Sequence, residues 1–199
     1  LQESGYGLIQ ERIRGSLFAL VVQAILWNQT RGKAGRPVLF ELLTLYPTPE
    51  KLAQADPHNL LPVIGKLGLQ KIRSERLVKM AKVWVRSPPH PSRRYGKRNY
   101  PQKGDNIDTR DGELLDVDDI RSGWEIAHLP GVGAYALDSY RIFYRDTLRG
   151  IEPGDGHEPE WKRVLPLDKD LRPYLVWKWA QEGWNWDPIT GHRERVKVG

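Results

Sequence analysis

Leu129-Pro130-Gly131-Val132-Gly133 is the stretch whose residue types and spacing most directly suggest chemistry. Glycines at alternate positions permit dihedrals closed to other residues and leave backbone N–H groups uncovered. Those donors, with the positive end of a helix beginning near Ala134, form a ready site for an anion such as a phosphate. Leu129 and Val132 are expected to anchor the turn by pointing into the core. An ordinary helix–helix turn closed by a glycine would have the same spacing, so the pattern by itself leaves both readings open. Other chemistries are closed off. The 199 residues contain no cysteine, which excludes disulfides, cysteine nucleophiles, thiolate zinc sites and thiolate-held iron–sulfur clusters. Five scattered histidines form no ligand pattern, so no metal and no cofactor is expected. Lys and Arg outnumber Asp and Glu by 31 to 25, a net charge of +6 that favours a polyanionic partner.

The elements that must hold this turn read as helices. Leu17 to Leu26 is apolar almost all round, interrupted by Gln23, as suits a helix buried on every side. It is too short to cross a bilayer and lacks the flanks of a signal peptide. Pro37 is expected to start a second helix running through Tyr46. Thr48-Pro49 and Asp56-Pro57 each pair an N-cap with proline at the first helical position. A longer helix is predicted from about Lys71 to Val85, with Ile72, Leu77, Met80, Ala81 and Trp84 on its buried side. Lys71, Arg73, Arg76, Lys79 and Lys82 make the rest of it basic. Residues 87–112 read as a partly mobile surface insertion: Ser87-Pro88-Pro89-His90-Pro91 cannot be helical, and runs of basic and then acidic residues follow without apolar periodicity. A helix ending near His128 leads into the glycine turn. Residues 150–161 form a second insertion, and a last helix spans about Lys169 to Glu182. No strand hairpin and no internal repeat is evident, so the fold class is all-α. The chain opens on Leu1 without an initiator methionine, as a trimmed fragment would.

Leu129 to Tyr135, L-P-G-V-G-A-Y, followed by P-L-D-K-D-L at Pro166 to Leu171, resembles the helix-hairpin-helix DNA glycosylase superfamily. The resemblance is nearest to the mismatch-specific thymine/uracil glycosylase domain of methyl-CpG-binding repair proteins. It extends to L-I-Q-E at Leu8, A-I-L-W-N-Q-T-R-G-K at Ala24, P-V-L-F at Pro37, L-G-L at Leu67 and G-A-Y-A-L-D-S-Y-R-I-F at Gly133. Together these segments cover most of the chain outside the two insertions, in the family's order. The resemblance implies a single two-lobed domain with its cleft between the lobes and no iron–sulfur cluster. One lobe, a helical barrel, would take about 17–135; the other would take the N-terminal segment and about 136–199.

Asp168 takes the catalytic place by this resemblance. A fixed carboxylate beside C1′ stabilises a sugar with oxocarbenium character and can orient or deprotonate the attacking water. Capping the helix that follows is a compatible use of the same side chain. Asp170 is the competing carboxylate, at a position usually basic in the family, and Asp138 suits a hydrogen-bonding role inside its helix. Tyr135 stands where bifunctional relatives carry a Schiff-base lysine; a phenol cannot form one, so monofunctional excision is implied. Tyr135 and Gln10 match base-pocket positions, and an amide suits the alternating acceptor, donor and acceptor of uracil or thymine. Gln29 and Leu69 match the residues that enter the duplex, while Leu129, Gly131, Val132 and Gly133 form the backbone grip on DNA.

The implied substrate is thymine or uracil mispaired with guanine in double-stranded DNA, excised by a monomer in nuclear base excision repair. Selection would come from the weakness of the mispair. Three alternatives stay open: the same fold acting on alkylated bases or on adenine opposite oxidised guanine, a non-catalytic DNA-binding module, and a helical scaffold without nucleic acid.

Overall fold

The computed structural model describes residues 5–28 and 32–199. Nine α-helices dominate the described residues: α1 (Ile9–Ile13), α2 (Leu17–Trp27), α3 (Gly32–Leu45), α4 (Pro49–Ala53), α5 (Pro57–Ile64), α6 (Gln70–Arg86), α7 (Ala134–Phe143), α8 (Arg145–Leu148) and α9 (Leu171–Gln181). Short 3₁₀ turns cover Gly65–Leu67 and Glu160–Arg163. No helix among the described residues is long and apolar enough to cross a membrane.

The centre is α2. Its residues Leu17 to Leu26 are buried on all sides, and it packs against α3, α6 and α7. Each fully buried Leu, Ile or Val there stabilises the fold by about 1.5–3 kcal/mol. Capping follows the sequence. The Ser16 hydroxyl accepts from the Ala19 N–H, Thr48 from Lys51 and Asp56 from His58. α3 departs from expectation. It begins at Gly32, with Pro37 inside it rather than at its first position.

α6 presents a different face from the predicted one. Leu77, Met80 and Ala81 are buried, but Ile72 is 53% exposed. Arg73, which the charge pattern places in solvent, is buried instead and donates to the carbonyls of Leu67, Gly68 and Asn28. Burial and the neighbouring Arg76 both lower its pKa. Tertiary demand for a donor to three loop carbonyls has overridden the helix's apolar periodicity.

Residues 87–112 are pinned to the body of the fold at several points. β1 (Arg94–Tyr95) pairs antiparallel with β2 (Leu114–Leu115), and Tyr95 also bridges to Trp124. Tyr100 is 2% exposed, stands edge-on to Trp124 and donates its hydroxyl to Asp138 on α7 at 2.6 Å. The second insertion is likewise anchored at its end, where buried Glu160 meets Arg141 and Arg145. A second ribbon pairs β3 (Trp184–Trp186) with β4 (Arg193–Arg195). Arg193 and Arg195 lie over the Trp184 ring. The segment before the glycine turn is a series of tight turns from Trp124 to Leu129, not the helix expected to end near His128.

Candidate active site

Gly131 is the residue that lets the turn exist. Its φ is +86°, and a Cβ there would stand 2.9 Å from the Arg76 side chain and 3.0 Å from Ile25. Gly133 is different. It is extended, at φ −113° and ψ −162°, and a Cβ would meet nothing within 4 Å. Only one of the two glycines therefore needs its freedom on conformational grounds. Leu129 and Val132 are buried as expected, so neither side chain can touch a ligand and any grip by them is through backbone. The Val132 N–H is already bonded to the Leu129 carbonyl. What remains for an anion is the N–H of Gly131 and Gly133 and the unpaired donors of the first turn of α7.

Tyr135 sits in that first turn of α7. Its phenol oxygen accepts two hydrogen bonds, from Gln10 Nε2 at 2.9 Å and from Gln23 Nε2 at 2.8 Å. Both glutamines are buried. Gln10 reaches the phenol from α1 and Gln23 from the middle of α2. Burial lifts the phenol pKa to about 12; the Gln23 amide lowers it and the Asp168 carboxylate raises it. The ring therefore stays protonated at neutral pH.

Asp168 stands on the extended stretch leading to α9. Its Oδ2 accepts from the N–H groups of Asp170 and Leu171, both at 2.9 Å. This is the capping use, and it leaves Oδ1 without a hydrogen bond from any described residue. Two backbone donors and the positive end of an eleven-residue helix hold the carboxylate in place.

A cleft of about 1130 Å³ joins these pieces. Gln10, Gly131, Gly133, Tyr135, Asp168 and Asp170 all line it, and Lys33, Arg36 and Lys169 make its wall basic. Leu69 is not in it. It tops the loop before α6 with φ +49° and is 50% exposed. A leucine in left-handed backbone is strained by about 1 kcal/mol or more. Arg73 ties that loop to the Asn28 carbonyl, and Asn28 lines the cleft, so the strained tip is fixed relative to the cavity. Gln29 lies outside the described residues. Sequence reasoning missed Gln23 and Arg73 as contributors; the lone amide in an apolar run was the available signal for the first, and none marked the second.

Asp138, one helical turn beyond Tyr135, is buried. Burial raises its pKa to about 6, Tyr100 and Arg141 oppose that, and Asp168 adds to it. Its folded pKa thus lies above the ordinary 3.8. Between those two values the folded state holds a proton that the unfolded state has lost. Stability from this group is therefore greatest below about pH 4 and falls as pH rises towards 6. Asp138→Asn keeps an acceptor for Tyr100 and removes the charge. Thermal melts should show it roughly 2–3 kcal/mol more stable than the parent at pH 7.5 and no more stable at pH 4. An equal gain at both values would discard this account.

A family model described as HhH-GPD superfamily base excision DNA repair protein matches residues 22–166. The chain belongs to this family. Its members are DNA glycosylases, and the glycine turn, Tyr135 and Asp138 lie inside the matched stretch. Gln10 and Asp168 lie outside it, and both line the same cleft as Tyr135.

Proposed function

We propose that the protein is a monofunctional DNA glycosylase that releases thymine or uracil mispaired with guanine. The observation that carries this reading is the shared cavity. It sets the Asp168 carboxylate, the Tyr135 phenol and the Gln10 amide beside the glycine turn. DNA would lie with one phosphate on the N–H groups of Gly131 and Gly133 and a flipped nucleotide in the cleft. A carboxylate there stabilises positive charge developing on the sugar. Water oxygen bonds to C1′ as the C1′–N1 bond breaks. The base leaves with the bonding pair, and one water proton passes to Asp168. The hairpin position that could offer an amine carries Tyr135, so water is the nucleophile. The absence of cysteine from the 199 residues fits a domain without a thiolate-held cluster, and a two-lobed arrangement would put the cleft between lobes.

Duplexes carrying G·T, G·U, A·T and A·U pairs test this, each analysed with and without alkali. The expected result is release from the G·T and G·U duplexes, with strand breaks only after alkali and uracil at least as fast as thymine. Breaks without alkali would assign lyase chemistry, with Lys33 and Lys169 as the candidate amines in the cleft. Release of alkylated bases but of neither pyrimidine would move the substrate class.

Leu69 supplies the wedge in this reading. Gly relieves left-handed strain, so Leu69→Gly should leave the melting temperature unchanged or raise it. Release from G·T should slow about tenfold, since nothing then fills the stack beside the orphan guanine. A variant that melts lower and still excises at the parent rate would make Leu69 a structural staple only.

A further inference from the structure

Gln23 is the only amide among the eleven residues of α2, and it is fully buried. Its Oε1 has no hydrogen-bond partner among the described residues. Its Nε2 makes one bond, to the Tyr135 phenol. Burying a partly satisfied amide in an apolar helix disfavours folding, and an apolar residue of the same size would fill that space. The amide's one evident effect is on Tyr135.

A phenol oxygen carries one hydrogen and two acceptor sites. Gln10 and Gln23 both donate to it, so the acceptor sites are filled from the protein side. The hydroxyl hydrogen takes the remaining direction. No described residue accepts it, and Tyr135 lines the cleft.

We propose that Gln23 is a specificity-determining positioning residue. Together with Gln10 it makes the Tyr135 hydroxyl a fixed donor to the occupant of the cleft, selecting a base edge that presents a carbonyl at position 4 over one that presents an amino group. The inference rests on the glycosylase reading and sharpens it. Uracil and thymine offer O4 as an acceptor, whereas cytosine offers N4–H₂, a donor facing a donor. Cytosine is the ordinary partner of guanine, so the cleft needs a means of refusing it besides the strength of the pair. A buried donor left without its acceptor lowers affinity by about 10- to 100-fold.

Two substitutions separate this role from packing. Gln23→Met keeps the volume and makes no bond. Gln23→Glu offers only acceptors, and draws the phenol hydrogen away from the cleft. Affinity is measured for duplexes holding non-hydrolysable 2′-fluoroarabino uridine or cytidine opposite a tetrahydrofuran residue, where neither base is paired. The same proteins are assayed for uracil release from an ordinary G·U duplex. The parent should prefer uridine over cytidine by about tenfold or more. Gln23→Glu should abolish most of that preference and Gln23→Met should reduce it about threefold, both through weaker uridine binding, with melting temperatures preserved. A packing role would weaken both ligands in parallel and lower the melting temperature without moving the ratio; that result overturns the proposal, as does an unchanged ratio in both variants. If the parent releases uracil while the ratio stays fixed, only the role of Gln23 falls. If the parent releases no base from any duplex, the glycosylase reading falls and takes this inference with it.

Discussion

Asp168→Asn is expected to slow base release about 10³-fold under single-turnover conditions while leaving duplex affinity within about twofold. The isosteric amide can still accept from the N–H groups of Asp170 and Leu171, the two bonds that Oδ2 makes now. Asparagine caps helices about as well as aspartate, so α9 should start where it does and the melting temperature should barely move. What the amide lacks is the negative charge that the proposed reaction sets against the sugar. A factor of 10³ corresponds to about 4 kcal/mol of transition-state stabilisation, within the range of a single well-placed electrostatic contact. Asp170→Asn is the control. Asp170 lines the same cleft but its side chain caps nothing, and its loss should slow release less than about fivefold. Should Asp170→Asn prove the more damaging of the two, the roles assigned to these carboxylates exchange. If both variants excise at the parent rate, the catalytic group is elsewhere.

Local chemistry was readable because it acts over a few residues. Thr48-Pro49 and Asp56-Pro57 announce helix starts, and the structure caps both with the side chains named. Leu17 to Leu26 reads as a buried helix because no face of it is polar enough to meet water, and it is the centre of the core. The glycine turn was legible in outline, yet the distinct needs of Gly131 and Gly133 were not. They depend on Arg76 and Ile25, which approach from other elements. The anchoring of residues 87–112 was hidden for the same reason on a larger scale. Their charged, aperiodic run looks solvated, but Tyr100 finds Asp138 at 38 positions' separation, a pairing no local pattern encodes. Arg73 and Ile72 exchange the faces that periodicity assigns them because three carbonyls near Leu67 and Asn28 need a donor more than that surface needs another apolar contact. Asp168 and Gln10 were reachable only through resemblance. Nothing in their neighbourhoods marks them, and the cleft that joins them is built from both ends of the chain.

Glu160→Gln is expected to destabilise the protein by about 3–5 kcal/mol, the largest effect on stability of any single polar change proposed. Glu160 is 2% exposed, and its Oε1 accepts from Arg141 Nε at 2.7 Å and Arg145 Nη1 at 2.9 Å. Burial works to raise its pKa, but Arg145 and Arg141 outweigh it and hold the carboxyl below its ordinary range. Glu125 completes the group by accepting from Arg145 Nε at 2.9 Å and from the Tyr140 hydroxyl at 2.6 Å. Both guanidiniums lie against the Trp124 ring. Two buried cations thus face two buried carboxylates directly, with Asp138 as a third anion near Arg141. Neutralising Glu160 removes the carboxylate hydrogen-bonded to Arg141 and leaves Asp138 as its nearby anion, and losing one partner of a buried ion pair is what makes such substitutions costly. At about 2–4 °C per kcal/mol for a chain of this size, the melting temperature should fall by roughly 10 °C. Removing one partner of each sign gives the sharper test. Arg141→Met combined with Glu160→Met leaves the Arg145–Glu125 pair intact, so the double variant should melt above Glu160→Gln. If it melts lower, the network stabilises by attraction in its own right and charge balance is the wrong description. Activity should follow position rather than charge. Glu160 fastens the turn before Pro166 and Asp168 onto the same helix that carries Tyr135. Loosening it should lower the rate of release at temperatures where the variant is still folded, although Glu160 touches neither the cleft nor its occupant.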